Sequence, residues 1–284
     1  MRTNTGLSFE QITGNIGSEV LRIDLSEPLT NEVAAELRAA LLDRVLLVFQ
    51  DQEMDQQDVL RFGTSFGPLV TPAFQTNHDP SAPPELIVID QTGAGGAGNE
   101  VFHMGSSFLA VPPMGLILHG VQIPPSGGDT VFSSLYAAYD ALSASTKGFL
   151  EGLQAEHSIA PLTELTKNLG YVAKRGDIDE FPAVMHPIVR VHPESGRKLL
   201  NTNRHYTVSI PDPTKPEQSA LLEFLFQHIE NVAFQCRLRW REGTVAIVDD
   251  RAAVHRVVED FEERRVLNRV MVQDASRPLV RASA

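Results

Sequence analysis

The 284-residue chain has a single cysteine, Cys236, so no disulfide can close within it, and a buried thiol packed as a small hydrophobe is the expectation there. It lacks any apolar run near the roughly 18 residues that would span a bilayer. It also lacks an N-terminal stretch joining a basic region, an apolar core and a small-residue cleavage site, which leads us to expect a soluble cytoplasmic protein. Cations are scarce: 24 Lys and Arg against 36 Asp and Glu give a formal charge of −12. That balance disfavours a face for duplex nucleic acid, though a few local arginines can still hold a small anion. A G-x-x-x-x-G-K-[ST] phosphate cradle is missing too. The glycine-rich run at 92–98 therefore reads as a linker or lid.

What is present suffices for a packed core, with 42% hydrophobic and 21% charged residues. Strands are expected over 19–23, 44–50, 115–123, 184–191, 198–201 and 244–249. Helices are expected over 55–66, 135–153 and 216–233, and another follows Thr30, which is placed to cap it. Ser143 or Ser145 can serve as an internal cap in the third of these. With helices gathered early and many short strands after them, the expected fold is α+β, one domain over 1–284 built on a β-sandwich or barrel, with a doubly wound α/β fold as the alternative.

Of nine histidines, seven have no local setting that suggests a metal. His103 and His255 differ. His103 stands between the glycine-rich loop and Pro112-Pro113, at a strand edge flanked by loops, where a ligand can point into a pocket. His255 follows the apolar run 245–248 and the polar turn Asp249-Asp250-Arg251. Beyond it, Arg265 and Arg269 share a face of a β-like segment, since residues four apart on a strand point the same way. Salt bridges to the acidic run 259–263 are the plain reading of that pair.

The order of these features is similar to the taurine dioxygenase and chlorophenoxyacetate dioxygenase family. The first histidine is followed about 25 residues later by Gly127-Gly128-Asp129-Thr130, then by a distal His and Arg. Phe62-Gly63, Phe66-Gly67-Pro68, Leu142-Ser143, His186-Pro187, His192-Pro193 and Gly196-Arg197-Lys198 also resemble family elements, so the likeness runs over about 8–273. It implies a double-stranded β-helix, or jelly roll, with iron(II) at one mouth. His103 and His255 match the two histidine ligands, Arg269 the partner of the 2-oxoglutarate distal carboxylate, Arg265 a second arginine, and Thr130 a hydroxyl on that cosubstrate. The chemistry agrees, because a planar guanidinium grips a carboxylate bidentately and two imidazoles with one carboxylate leave iron open positions.

One departure matters. The family has Asp or Glu two residues after the first histidine, and here that residue is Gly105. The expectation is a vacant ligand position that chloride or bromide can fill, as in the iron halogenases of the wider superfamily that carry Gly or Ala there. The implied reaction is hydrogen abstraction from an unactivated C–H of a free small molecule, followed by halide rebound. The cofactors would be Fe(II), 2-oxoglutarate, O2 and chloride. Ser106 and Ser107 are candidate halide donors. A nucleotide is one substrate class considered, and an amino acid or other small carboxylate is another. The alternatives are a hydroxylase recruiting water or a remote carboxylate such as Glu100, a non-catalytic binding relative, and an Asp-to-Gly variant of an ordinary hydroxylase. Phe102 and Met104, which also differ from the family pattern, weigh against the last. Asp249-Asp250-Arg251 resembles the family's Trp-Asp-Asn-Arg turn, with Val248 and Asp250 altered, and Asp249 is expected to orient the His255 segment. Lys167, Lys174, Arg175, Arg204 and His205 are expected to present positive charge to an anionic substrate.

Overall fold

Strand β3 (Leu46–Phe49) is apolar at all four positions because both faces of its sheet are covered. Leu46 and Val48 turn into one core cluster, and Leu47 and Phe49 into the other. The sheet has seven strands, ordered β1 (Ser8–Gln11), β2 (Ser18–Leu21), β3, β13 (Val245–Asp249), β5 (Gly115–Gln122), β15 (Arg264–Val272) and β4 (Leu86–Thr92). All neighbours are antiparallel except β2 and β3. This computed structural model describes residues 5–71, 83–93, 99–161, 181–211 and 213–274.

Two helices cover one face. In α1 (Asn31–Arg44), Thr30 caps the first turn through its side chain and Leu37 and Leu41 are buried against the sheet. In α2 (Gln56–Thr64), Asp55 and Asp58 form a reciprocal capping box and Val59 and Phe62 are buried. Each such side chain contributes about 1.5–3 kcal/mol of burial. Across the other face lies a second antiparallel sheet, β12 (Gln235–Leu238), β6 (Thr130–Ser134) and β14 (Ala253–Val257), whose Val131, Phe132, Cys236, Leu238 and Val254 share a core with the seven-stranded sheet. Cys236 is buried there, as its setting led us to expect.

Smaller sheets complete the molecule: β11 (Thr207–Ser209) with β7 (Gln154–His157) and β8 (Val184–Pro187), and β10 (Lys198–Leu200) with β9 (Val189–Val191). The helix expected over 135–153 is two, α3 (Leu135–Asp140) and α4 (Ala144–Leu150), because Ser143 caps a new start. The last, α5 (Lys215–Ile229), stops four residues early and passes into a 3-10 turn capped by Asn231. No helix among the described residues is long and apolar enough to cross a membrane.

Candidate active site

His255 lies on β14, and His103 faces it across an isolated bridge on the free edge of that strand. The His103 N–H donates to the His255 carbonyl at 3.0 Å and the His255 N–H donates back at 2.8 Å. Directly opposed residues on paired strands project side by side, and the two imidazole centroids are 4.3 Å apart. The Nδ1–H of His103 donates to the Val101 carbonyl at 2.7 Å, which leaves the Nε2 lone pair for another partner. Burial holds His103 down at about 4 and His255 well below the usual imidazole range, so both are neutral at pH 7, the form that ligates a metal. A third imidazole, His205, has its centroid 5.4 Å from that of His103 and packs on Tyr206.

In this structure the space beside Gly105, where a halide was expected, holds another side chain. A Cβ built on Gly105 would lie 2.0 Å from Asp250 Oδ2 and 3.0 Å from its Cγ, so the Asp250 carboxyl fills the volume a residue-105 side chain would take. The Gly105 amide hydrogen-bonds this carboxyl, and burial pushes the group up to about 7. Its other oxygen, Oδ1, faces His255 Nδ1 at 3.7 Å, and neither atom has a hydrogen-bond partner among the described residues. A carboxylate here also opposes an anion such as chloride. Ser107, a candidate halide donor, is taken up otherwise: its hydroxyl receives the Asn203 amide at 3.0 Å and contacts His157 Nδ1 at 3.1 Å. Ser106 adopts a left-handed φ of 56° and its carbonyl accepts the Leu109 N–H.

The arginines converge from β15. Leu267 and Met271 belong to the core between the two sheets, whereas Val270 and Val272 belong to the opposite cluster, so Arg265 and Arg269, in step with the former, face inward. Arg265 donates from Nε to the Gly128 carbonyl at 2.9 Å and lies over Trp240, but its Nη2 has no partner among the described residues. Arg269 Nε is likewise unpaired, and burial lowers both guanidinium groups, Arg265 to about 10. Thr130 Oγ1 accepts the Trp240 indole N–H at 2.9 Å, so its own proton is available to a ligand. Buried, unpaired cations are costly, and an anionic group with several oxygens is the natural complement.

A metal and a dicarboxylate fit this donor set. The test is the row of unpaired buried atoms, His255 Nδ1, Asp250 Oδ1, Arg265 Nη2 and Arg269 Nε, all belonging to residues grouped around the two imidazoles and β15. The side chains do not yet close on one point, and among the described residues no three His, Cys, Asp or Glu surround a common centre.

Other expected site groups are reassigned. Asp249 does hold the His255 segment: it accepts from His192 Nε2 at 3.1 Å and from the Arg251 side chain at 3.0 and 2.8 Å. Arg204 is bound to Glu223 and Glu230 and has no charge to spare for a substrate. His205 is not a cation, since burial holds it near 4. Lys167, Lys174 and Arg175 lie outside the described residues, as does 94–98 of the glycine-rich run. The contribution that sequence reasoning missed is Asp250, whose only signal was acid in place of the family's amide. His205 was expected near the substrate as a cation, and its place beside His103 as a neutral imidazole was not foreseen.

These buried imidazoles fix a pH dependence. A group with a lowered folded pKa contributes stability above its unfolded value near 6.5 that is lost as pH falls toward the folded value. His103, His119, His157, His186, His205 and His255 all shift down. Asp250, shifted up, works in the opposite direction between about 7 and 3.8 but is one group against six. Each neutral buried histidine costs up to about 1.4 kcal/mol per pH unit below 6.5. The metal-free protein is therefore expected to lose thermal stability steadily from pH 6.5 to 4.5 in scanning calorimetry, and a flat profile would contradict the neutral cluster.

Comparison with known proteins follows the same lines. Residues 8–271 match the family described as "Taurine catabolism dioxygenase TauD, TfdA family". An alpha-ketoglutarate-dependent 2,4-dichlorophenoxyacetate dioxygenase of Cupriavidus pinatubonensis is 32% identical, covering 89% of this chain and 92% of that protein. The crystal structure of a taurine dioxygenase from Burkholderia xenovorans superposes with a TM-score of 0.80 at 30% identity, over 94% of this chain and 89% of that one. The crystal structure of AAD-2 in complex with Mn(II) and N-oxalylglycine gives a TM-score of 0.81 at 28% identity, over 96% and 99% of the two chains.

Proposed function

Because the chain belongs to the TauD, TfdA dioxygenase family, we propose that it is an Fe(II)- and 2-oxoglutarate-dependent dioxygenase that hydroxylates a small organic anion. The observation that carries this reading is the set of unpaired buried donors and acceptors around His103, His255 and Arg269. We read the two facing sheets as the jelly roll of that family, with this site between them. Halogenation gives way on two grounds. The relatives above are named dioxygenases, and the Asp250 carboxyl stands where a halide would need to sit. A small anionic substrate, a carboxylate or sulfonate, is supported by what those relatives are named for.

His103 and His255 would hold the metal through neutral imidazole nitrogens. The Val101 carbonyl orients the first by receiving its other ring proton, as the partners of ligating histidines commonly do. Arg269 would take the distal carboxylate of 2-oxoglutarate, with Thr130 donating its hydroxyl proton and Arg265 adding positive potential nearby. The AAD-2 complex is in keeping with this, N-oxalylglycine being 2-oxoglutarate with nitrogen for one carbon. When bound, iron(II) with 2-oxoglutarate and O2 supplies the oxidising power to insert oxygen into a C–H bond as the cosubstrate loses CO2. Phe132, buried with its ring 5.8 Å from that of His255, limits water access there.

The test is anaerobic. Iron(II) and 2-oxoglutarate added to the metal-free protein should produce a visible charge-transfer band that chloride and bromide leave unchanged. A saturable shift with halide would restore the halogenase, and no band would remove the oxygenase.

A further inference from the structure

We propose that His157 is a positioning residue of this site: through a closed circuit of hydrogen bonds it fastens the turn after Gly105 to the segment 203–207, and so holds His205 and Tyr206 against His103. This rests on the dioxygenase reading above. The circuit runs through four buried side chains, His157 completely so. Asn203 Nδ2 donates to Ser107 Oγ at 3.0 Å, and Ser107 Oγ lies 3.1 Å from His157 Nδ1. On the far side of the ring, His157 Nε2 lies 3.2 Å from Thr207 Oγ1, which accepts the Asn203 backbone N–H at 2.9 Å. Burial holds His157 down at about 3, so the ring is neutral and presents one donor and one acceptor. Each hydroxyl accepts from Asn203 and keeps a proton and a lone pair. One can therefore donate to the ring while the other accepts from it. A buried network with every member satisfied specifies one arrangement.

The two segments that the circuit joins both face the imidazole pair. Ser107 stands two residues after Gly105, and between them Ser106 has a left-handed φ of 56°, which a non-glycine residue keeps only where its surroundings over-determine it. His186 adds to that hold: its Nε2 lies 3.1 Å from both the Ser107 and the Leu109 carbonyls, so this nitrogen carries the ring proton. At the other end Asn203 and Thr207 bracket His205 and Tyr206, and Asn203 Oδ1 accepts the Tyr206 N–H at 3.0 Å. From the turn back to His103 the rings follow one another, Phe108 to Tyr206 at 5.2 Å, Tyr206 to His205 at 4.7 Å and His205 to His103 at 5.4 Å. This wall stands on the His103 edge of β14, whereas Thr130 pairs along the opposite edge. His157 acts on the site through Ser107 and Asn203, not on the reacting groups.

The experiment compares wild type with His157→Leu, which keeps bulk and loses both ring nitrogens, and with His157→Asn, whose amide can replace Nδ1 opposite Ser107. Hydrogen exchange of the metal-free full chain, followed by mass spectrometry, should show His157→Leu losing protection at least ~10-fold over both 104–109 and 201–207 while β13 and β15 are unchanged. His157→Asn should recover protection over 104–109. Succinate formation from 2-oxoglutarate by the iron(II)-loaded protein in O2 should fall at least ~10-fold in kcat for His157→Leu, with KM for 2-oxoglutarate within ~3-fold of wild type, and recover in part in His157→Asn. Unchanged protection in the two segments overturns the proposal, as does a loss spread equally over β13 and β15, which would make His157 an ordinary core residue. An unchanged kcat, or His157→Asn no better than His157→Leu, overturns it as well. If His157→Leu does not fold, Ser107→Ala, which opens the same circuit at a smaller side chain, must show the same paired loss. Wild type that gives neither succinate nor a charge-transfer band removes the dioxygenase reading and this role with it, an outcome distinct from a competent enzyme indifferent to residue 157.

Discussion

Arg269→Met will abolish 2-oxoglutarate binding while leaving the fold as stable as before, or more so. The two halves come from one observation. In the metal-free protein the Arg269 side chain is half-buried, its Nε is shielded from solvent without a partner among the described residues, and its Nη2 lies 3.9 Å from the Met271 sulfur. Methionine fills most of the same volume without burying a charge, and replacing a poorly paired buried ion by an apolar side chain is often neutral or stabilising. Cosubstrate binding depends on the charge. Removing one partner of a buried, hydrogen-bonded ion pair costs about 2–5 kcal/mol, or ~30- to several-thousand-fold in Kd. Titration of 2-oxoglutarate into the iron(II)-loaded variant, alongside thermal unfolding of the metal-free variant, separates the two effects. A large fall in Tm with unchanged cosubstrate affinity would mean that Arg269 is a structural residue.

The reverse pattern is expected at Arg251. It is fully buried and donates to Asp249 at 3.0 and 2.8 Å, to Asp274 at 3.0 Å and to Glu194 at 2.7 Å. Arg251→Met takes the guanidinium away from the buried Asp249 and Asp274 carboxylates. The expected cost is about 3–5 kcal/mol at neutral pH, a fall in Tm on the order of 10 °C for a chain of this size. The sign with pH follows from Asp249, which Arg251 and His192 hold well below the usual carboxylate range once the cost of its burial is outweighed. A carboxylate with a depressed folded pKa contributes stability above its unfolded value near 3.9 that is lost as pH falls through that region. The difference between variant and wild type should therefore be largest at pH 7 and shrink toward pH 4. A difference independent of pH would place the effect of the substitution in packing and not in charge.

The caps at Thr30 and Ser143 were legible because a helix start is written in a few adjacent residues. His103 and His255 were legible for a related reason, as each stands out from its immediate neighbours. The order of the seven-stranded sheet was not, since β13 lies between β3 and β5 through pairings that join distant parts of the chain. The shift where Val266 pairs with Gln122 but Leu267 with Gly120 is equally silent in composition. The substitution at Gly105 was easy to see, but its complement was hidden. Position 250 reads as an ordinary turn acid until the fold brings its carboxyl against the glycine, and reasoning along the chain treated the two differences from the family pattern as unrelated. The cationic role given to His205 failed through burial, which a local reading of the sequence does not reveal.

The contact between Gly105 and Asp250 also constrains how this chain can change. An aspartate at 105 collides with the side chain at 250, and an asparagine at 250, having the shape of aspartate, would fill the same volume. A side chain at 105 therefore needs residue 250 to turn away or to become smaller, and the two positions cannot vary independently while 2.0 Å separates a missing Cβ from a carboxylate oxygen.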